Sequence, residues 1–192
     1  MLPRWGSIGS TAPRVTSRPM RRINVIGTSG NGKSTVAREL AQRLGLPYVE
    51  LDALNHGPNW TEASNEDLTR AVAAATEGDA WVVDGNYRSK VGDLVLERAD
   101  TIVWLDQPLP LVLWRLWRRT LRRIRRREEL WNGNRESWRG AFAGRDSLFA
   151  WTIRSHFRNR QELAGKLARF PEARVIRLRS PRDVERFVAG KG

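Results

Sequence analysis

The chain has no cysteine, and only two histidines, two methionines and two tyrosines among its 192 residues. Without cysteine there is no disulfide framework and no thiolate metal site, and His56 and His156 are too few to build a histidine site. No run of about 18 apolar residues occurs, and no apolar core of signal-peptide length, so membrane spanning and secretion both lack support. The expected compartment is the cytoplasm. Acid is scarce as well: 21 Asp+Glu stand against 34 Lys+Arg, a formal charge of +13. No internal repeat is present.

What remains is enough to fold. Hydrophobic residues make up 40% and charged residues 29% of the chain, near globular averages, and the length suits one domain. The charge is uneven. Residues 111–160 carry 14 Lys/Arg against four Asp/Glu, whereas residues 21–110 carry nine against 13. A basic block of this kind predicts an anionic partner: nucleic acid, an acidic membrane face, or the phosphates of a small ligand.

Residues 1–20 combine Pro3, Pro13, Pro19, Gly6 and Gly9 with three arginines and no acid. They read as a disordered tail or an over-extended start ahead of Met20; the prolines and glycines oppose the amphipathic helix of a transit peptide. From residue 21 to 192 the pattern is that of one domain of alternating short strands and helices. Strands are predicted at Arg22–Ile26, Tyr48–Leu51, Trp81–Asp84, Thr101–Leu105 and Arg174–Leu178, and helices at Lys33–Leu44, from Ser64 to a stop at Gly78, and over Leu94–Ala99. A long helical region at 108–168 is broken near Trp131–Asn134, and a last helix opens with Ser180 as cap and Pro181 at its first position. Such alternation predicts a parallel sheet covered on both faces, an α/β sandwich.

Gly27-Thr28-Ser29-Gly30-Asn31-Gly32-Lys33-Ser34 fits G-x-x-x-x-G-K-[ST] in full, after a β-branched strand and at the head of an amphipathic helix. The chemistry needs these residue types. Glycines let backbone N–H groups turn toward a polyphosphate, and the helix N-terminus adds partial positive charge. Lys33 reaches the terminal phosphates, and the Ser34 hydroxyl is a natural Mg²⁺ ligand. Residues Gly27 to Thr35 are therefore the expected seat of Mg²⁺ATP.

From this loop to about residue 189 the chain resembles the P-loop nucleotide and metabolite kinases, adenylate kinase-like in character, with a closer likeness to the DNA topology modulation proteins. That likeness is carried by Gly27 to Thr35, Leu51-Asp52, Pro58-Asn59-Trp60, Trp81-Val82-Val83-Asp84-Gly85-Asn86-Tyr87 and Val103-Trp104-Leu105-Asp106. It implies a five-stranded P-loop sandwich with a helical lid insertion at about 115–140. Asp84, ending an apolar strand, meets the description of the acidic partner of Mg²⁺; Asp106 ends another such strand and competes for that role. Adenylate kinases read Asp-Gly-Phe-Pro-Arg where this chain reads Asp84-Gly85-Asn86-Tyr87-Arg88. The resemblance gives Arg88 a grip on the acceptor, while the changed middle pair puts AMP as that acceptor in doubt. Asp52 would orient or deprotonate an acceptor hydroxyl, with His56 and Trp60 in the loop that follows.

The helix after Pro108 carries Leu109, Val112, Leu113, Leu116, Trp117, Leu121 and Ile124 on helical spacing, with arginines mainly opposite. In the related kinases a mobile segment here brings arginines to the nucleotide. Arg119 and Arg123, at the start of the lid, are the expected phosphate contacts, and the tryptophans are expected mostly in the core. Two functions fit: phosphoryl transfer from Mg²⁺ATP to a small acceptor by a monomer or homodimer, or nucleotide-regulated DNA binding through residues 111–160.

Overall fold

The computed structural model describes residues 19–143 and 147–190, so the expected N-terminal tail lies almost wholly outside the described residues. Five parallel strands, β1 (Arg22–Ile26), β2 (Tyr48–Glu50), β3 (Trp81–Asp84), β4 (Thr101–Leu105) and β5 (Arg174–Leu178), form one sheet in the order β2-β3-β1-β4-β5. Alternate strand residues feed two cores. Ile23, Val25, Val82, Val103 and Leu105 pack on α1 (Lys33–Leu44) and on Val184, Phe187 and Val188 near the C-terminus. Ile26, Trp81, Val83, Ile102 and Trp104 pack on the opposite layer, which includes α3 (Asn65–Ala75) and Leu163 and Leu167 of α8 (Leu148–Leu167). Period-two alternation with both faces covered is what a buried parallel sheet requires, and the expected three-layer sandwich is the observed fold.

All five strands stand where the alternation placed them, with one correction. Leu51 does not extend β2; it begins a short helix, α2 (Leu51–Asn55). The cause lies in the neighbouring strand: β2 pairs only with β3, the register ends at Glu50 opposite Asp84, and β3 then turns away at Gly85 with φ 133°. Past Glu50 the backbone has no ladder left to join. Asp52 therefore sits in the first turn of a helix.

Ser64 caps α3 by accepting from the Asp67 amide, as its sequence pattern suggests. That helix stops at Ala75, short of Gly78, with the Thr76 hydroxyl bonded back to Val72. Two short helices follow β3, α4 (Arg88–Val91) and α5 (Leu94–Arg98). Between β4 and β5 the chain forms α6 (Leu109–Arg126), a 3₁₀ turn at Trp131–Gly133, α7 (Trp138–Phe142) and α8. The closing helix α9 (Pro181–Val188) opens on a reciprocal capping box between Ser180 and Asp183.

The packed side of α6 differs from the expected stripe. Val112, Leu116 and Thr120 are fully buried, while Trp117 is 40% exposed. Trp114, Trp138 and Trp151 are exposed too, so the tryptophans do not lie mostly in the core. The stripe shifts because α6 must set Val112 and Leu116 against the backbone of the glycine loop. That packing turns the Arg119 edge inward and the Trp117 edge outward. No helix among the described residues is long and apolar enough to cross a membrane.

Candidate active site

The glycine loop joins the carboxyl end of β1 to α1, whose N-cap, Gly32, is left-handed at φ 89°. Gly30 also has positive φ, 82°, and a Cβ there would lie 2.7 Å from the Val112 carbonyl oxygen. Only glycine permits α6 to come this close. Asn31, buried, ties the loop together: its Nδ2 donates to the Thr28 hydroxyl and its Oδ1 accepts from the Gln107 amide at 3.1 Å. Lys33 Nζ lies 3.4 Å from the Thr28 carbonyl. Open α/β sheets bind ligands at the carboxyl ends of their strands, and here the loop's N–H groups and the head of α1 provide an anion seat.

Because β1 lies between β3 and β4, the loop is flanked on both sides by a strand-end aspartate. Their surroundings differ. Asp106 is spent on two arginines, with Arg177 at 2.6 Å and Arg160 at 3.2 Å. Asp84, 4% exposed, accepts from the Tyr48 hydroxyl on Oδ2 at 3.2 Å, and its buried Oδ1 has no hydrogen-bond partner among the described residues. Burial pushes the Asp84 carboxyl above the usual aspartate range, against the opposing pull of the nearby Lys33 charge and Ser34 hydroxyl. A buried, unpaired carboxylate oxygen beside Ser34 and Lys33 fits a bound cation. Among the described residues no three His, Cys, Asp or Glu side chains gather to hold a metal by themselves. A Mg²⁺ here would complete its shell with phosphate oxygens and water, as Mg²⁺ commonly does.

Across the crevice, Asp52 Oδ1 accepts from the Tyr87 hydroxyl at 2.8 Å, and that hydroxyl is 3.1 Å from His56 Nε2. Of the expected lid arginines, Arg123 is held by Glu136 at 2.7 Å. Arg119 reaches the same carboxylate only at 3.9 Å, and its Nε is buried without a partner. Burial first, and then the Arg123 charge, push the Arg119 guanidinium below the usual arginine value; Glu136 and Asp52 act the other way. Asp52 is thus among the charges that act on this arginine. Arg88 is not brought to this group. It closes on Asp93, with Nε to Oδ1 at 2.7 Å, and that ion pair occupies its guanidinium.

A seam joins the loop after α2 to the 3₁₀ turn at Trp131–Gly133, and it has no counterpart among the expected site residues. The two are near copies in backbone. In one, Gly57 N–H donates to Thr61 at 2.7 Å, Thr61 N–H donates to Pro58 at 3.1 Å, and His56 bridges Glu62. In the other, Leu130 N–H donates to Asn134 at 2.7 Å, Asn134 N–H donates to Trp131 at 3.2 Å, and Glu129 bridges Arg135. Each is a 3₁₀ turn with a left-handed asparagine, Asn59 or Asn132. They lock together: Asn134 binds Gly57 and Trp60, Asn132 Nδ2 donates to the His56 carbonyl, and the Trp131 ring stacks on His56 at 5.8 Å. The only advance signal was the shared richness in Asn, Gly and Trp, which marks turns but not their pairing.

The model of the AAA family, ATPases associated with various cellular activities, matches residues 23–106, the stretch that holds the glycine loop and both strand-end aspartates. That stretch of the chain is similar to P-loop NTPases. A shikimate kinase of Paramagnetospirillum magneticum is 30% identical to this P-loop protein over 118 residues, covering 54% of the chain and 60% of the relative. One from Rhodopseudomonas palustris is 30% identical over 114 residues, covering 52% and 56%. The chain thus spans little more than half the length of these curated relatives. In fold it is similar to shikimate kinase from Acinetobacter baumannii in complex with shikimate, with a TM-score of 0.55 at 18% identity, covering 89% of the chain and 90% of that structure. Shikimate kinase from Bacteroides thetaiotaomicron gives 0.53 at 16% identity, covering 90% and 96%.

Proposed function

We propose that this P-loop protein is an ATP-dependent kinase of a small hydroxyl-bearing metabolite. The observation that carries the reading is the pairing, on one edge of the sheet, of the phosphate loop with a carboxylate, Asp52, held by the Tyr87 hydroxyl. ATP phosphates would rest on Gly27 to Thr35 with Lys33 on the terminal group. Ser34 and Asp84 would hold Mg²⁺, which neutralises phosphate charge. Asp106, already paired with two arginines, is left out of this assignment. The acceptor oxygen attacks the γ-phosphorus, the bond from that phosphorus to the β–γ bridging oxygen breaks, and ADP leaves; the acceptor's proton passes to Asp52. Arg119 stabilises the charge spread over the equatorial oxygens, with Arg123, held by Glu136, behind it. Arg88, committed to Asp93, takes no part.

The relatives named above point to shikimate as the first acceptor to try, followed by other hydroxy acids, sugar acids, nucleosides and nucleotides. Acceptor-dependent ADP release that Lys33→Ala abolishes would support the proposal; no release across that panel would overturn it.

A second reading keeps the likeness to topology-modulation proteins. Trp114, Trp117, Trp138 and Trp151 are exposed, as are Arg118, Arg122, Arg125 and Arg126 of α6, and Arg118 lies over the Trp114 ring at 5.8 Å. Arginine with aromatic surface is the chemistry of single-strand binding. Affinity for a single-stranded oligonucleotide should fall steeply with salt, with a slope of about 0.7 per neutralised phosphate. It should also drop on Trp114→Ala; salt-sensitive binding indifferent to the tryptophans is charge alone.

A further inference from the structure

The side chains behind Asp52 form a chain in which the identity of each donor settles the next. Lys90 Nζ can only donate, and its three partners are Asn55 Oδ1 at 2.8 Å, the Ala63 carbonyl at 3.0 Å and Glu62 at 2.8 Å. That fixes the Asn55 amide, fully buried, with oxygen toward Lys90 and nitrogen toward His56 Nδ1 at 3.4 Å, the same amide also acting directly on the Tyr87 hydroxyl. An amide nitrogen donates, so His56 Nδ1 must be the bare, accepting nitrogen and the ring proton must sit on Nε2. Nε2–H then donates to the Tyr87 oxygen at 3.1 Å, and the tyrosine is left to donate its own proton to Asp52 Oδ1 at 2.8 Å. Burial and the Asp52 charge push the Tyr87 hydroxyl well above the usual tyrosine value, so it stays a donor.

We infer that Lys90, Asn55, His56 and Tyr87 form a one-way hydrogen-bond relay whose role is to position Asp52, holding one of its oxygens so that the other meets the acceptor hydroxyl. Tyr87 and His56 are positioning residues; the proton of the acceptor stays on Asp52 and does not travel the chain. The lid tip touches the relay at its middle, since Trp131 stacks on the His56 ring and Asn132 holds its carbonyl. Closing the lid therefore steadies the same imidazole that orients Tyr87. This inference rests on the reading above that Asp52 faces an acceptor.

The tautomer of His56 tests the relay without any turnover. With ¹⁵N-labelled full-length protein at about pH 8.5, some two units above the ordinary histidine value of about 6.5, His56 should show a protonated Nε2 and a bare Nδ1; His156→Gln identifies its signals. Asn55→Asp keeps the shape but replaces the donor facing Nδ1 with an acceptor. The proton should move to Nδ1, the Tyr87 hydroxyl should turn from Asp52, and kcat should fall about 10²-fold, the cost of a misplaced catalytic group, with the KM for ATP held. Tyr87→Phe should lower kcat similarly while leaving the Asn55-facing nitrogen bare. A wild-type proton on Nδ1 overturns the relay, as does an Asn55→Asp protein that keeps its tautomer. Full kcat in Tyr87→Phe overturns the positioning role while the kinase reading stands. If the tautomers behave as stated and no acceptor is ever phosphorylated, the hydrogen-bond chain stands but the positioning role falls with the kinase reading.

Discussion

The Asn134 carboxamide stands 2.9 Å from the Gly57 carbonyl, donating to it through Nδ2, while its Oδ1 accepts from the Trp60 amide at 2.7 Å. One side chain just past the Trp131–Gly133 turn thus satisfies a donor and an acceptor of the loop after α2. Asn134 is 3% exposed, and cutting it away removes two part-buried hydrogen bonds to the half-buried Gly57 and the exposed Trp60.

Asn134→Ala should therefore loosen this seam at a cost of about 0.5–1.5 kcal/mol for each hydrogen bond lost, the usual net worth of such a bond. Because Trp60 and Trp131 lie at the seam with ring centroids 6.4 Å apart, their fluorescence should shift toward that of exposed tryptophan. Acceptor KM should rise while affinity for ATP, held on the other side of the crevice, stays. A spectrum and KM like those of the unaltered protein would show that the seam does not govern closure.

Gly30→Ala tests how closely α6 must approach the phosphate loop. The added methyl meets the Val112 carbonyl at 2.7 Å from a backbone at φ 82°, so both contact and conformation oppose it. Nucleotide affinity and thermal stability should fall together, by an amount of about 1–3 kcal/mol typical of overpacking. Gly78→Ala is the control, for it has open space and no positive φ, and it should leave both unchanged.

The sheet was legible in the sequence because each buried strand is a short β-branched or aromatic run, and the glycine loop because phosphate binding leaves few residue choices. The fate of Leu51 was not, since it depends on where β3 stops supplying hydrogen bonds. Asp84 and Asp106 were indistinguishable in sequence for a similar reason: both end strands adjacent to β1, and only distant Arg160 and Arg177 tell them apart. The 3.6-residue period in α6 pointed to a helix correctly but set its face one notch off, placing Trp117 inward where Thr120 is buried. Relations such as Asn134 with Gly57 or Tyr87 with Asp52, spanning 77 and 35 residues, leave no local trace.

Those two aspartates should give opposite results when neutralised. Asp106→Asn removes the shared partner of two arginines. A buried pair broken this way costs about 3–5 kcal/mol, and because Arg160 and Arg177 are 45% and 28% exposed, solvent should reduce that to about 1–3 kcal/mol. Nucleotide affinity should survive in the folded fraction.

Asp84→Asn should do the reverse. The folded protein holds the Asp84 proton more tightly than the unfolded chain, because burial raises its value above the ordinary 3.8. Between that ordinary value and the raised one, the native state binds more protons, so the carboxyl's contribution to stability falls as pH climbs through the window. The ligand-free asparagine variant avoids that loss: it should melt above the unaltered protein at neutral pH, and the gap should close as pH drops below the ordinary value, to about 3, where the carboxyl is protonated in either state. The same variant should gain no extra stability from Mg²⁺ added with ATP, the linkage that marks a lost cation ligand. Equal melting temperatures at neutral pH, or an undiminished Mg²⁺ effect, would take Asp84 out of the metal site. The gain in the ligand-free state and the loss in the loaded one have one origin, a carboxylate oxygen buried without a partner of its own.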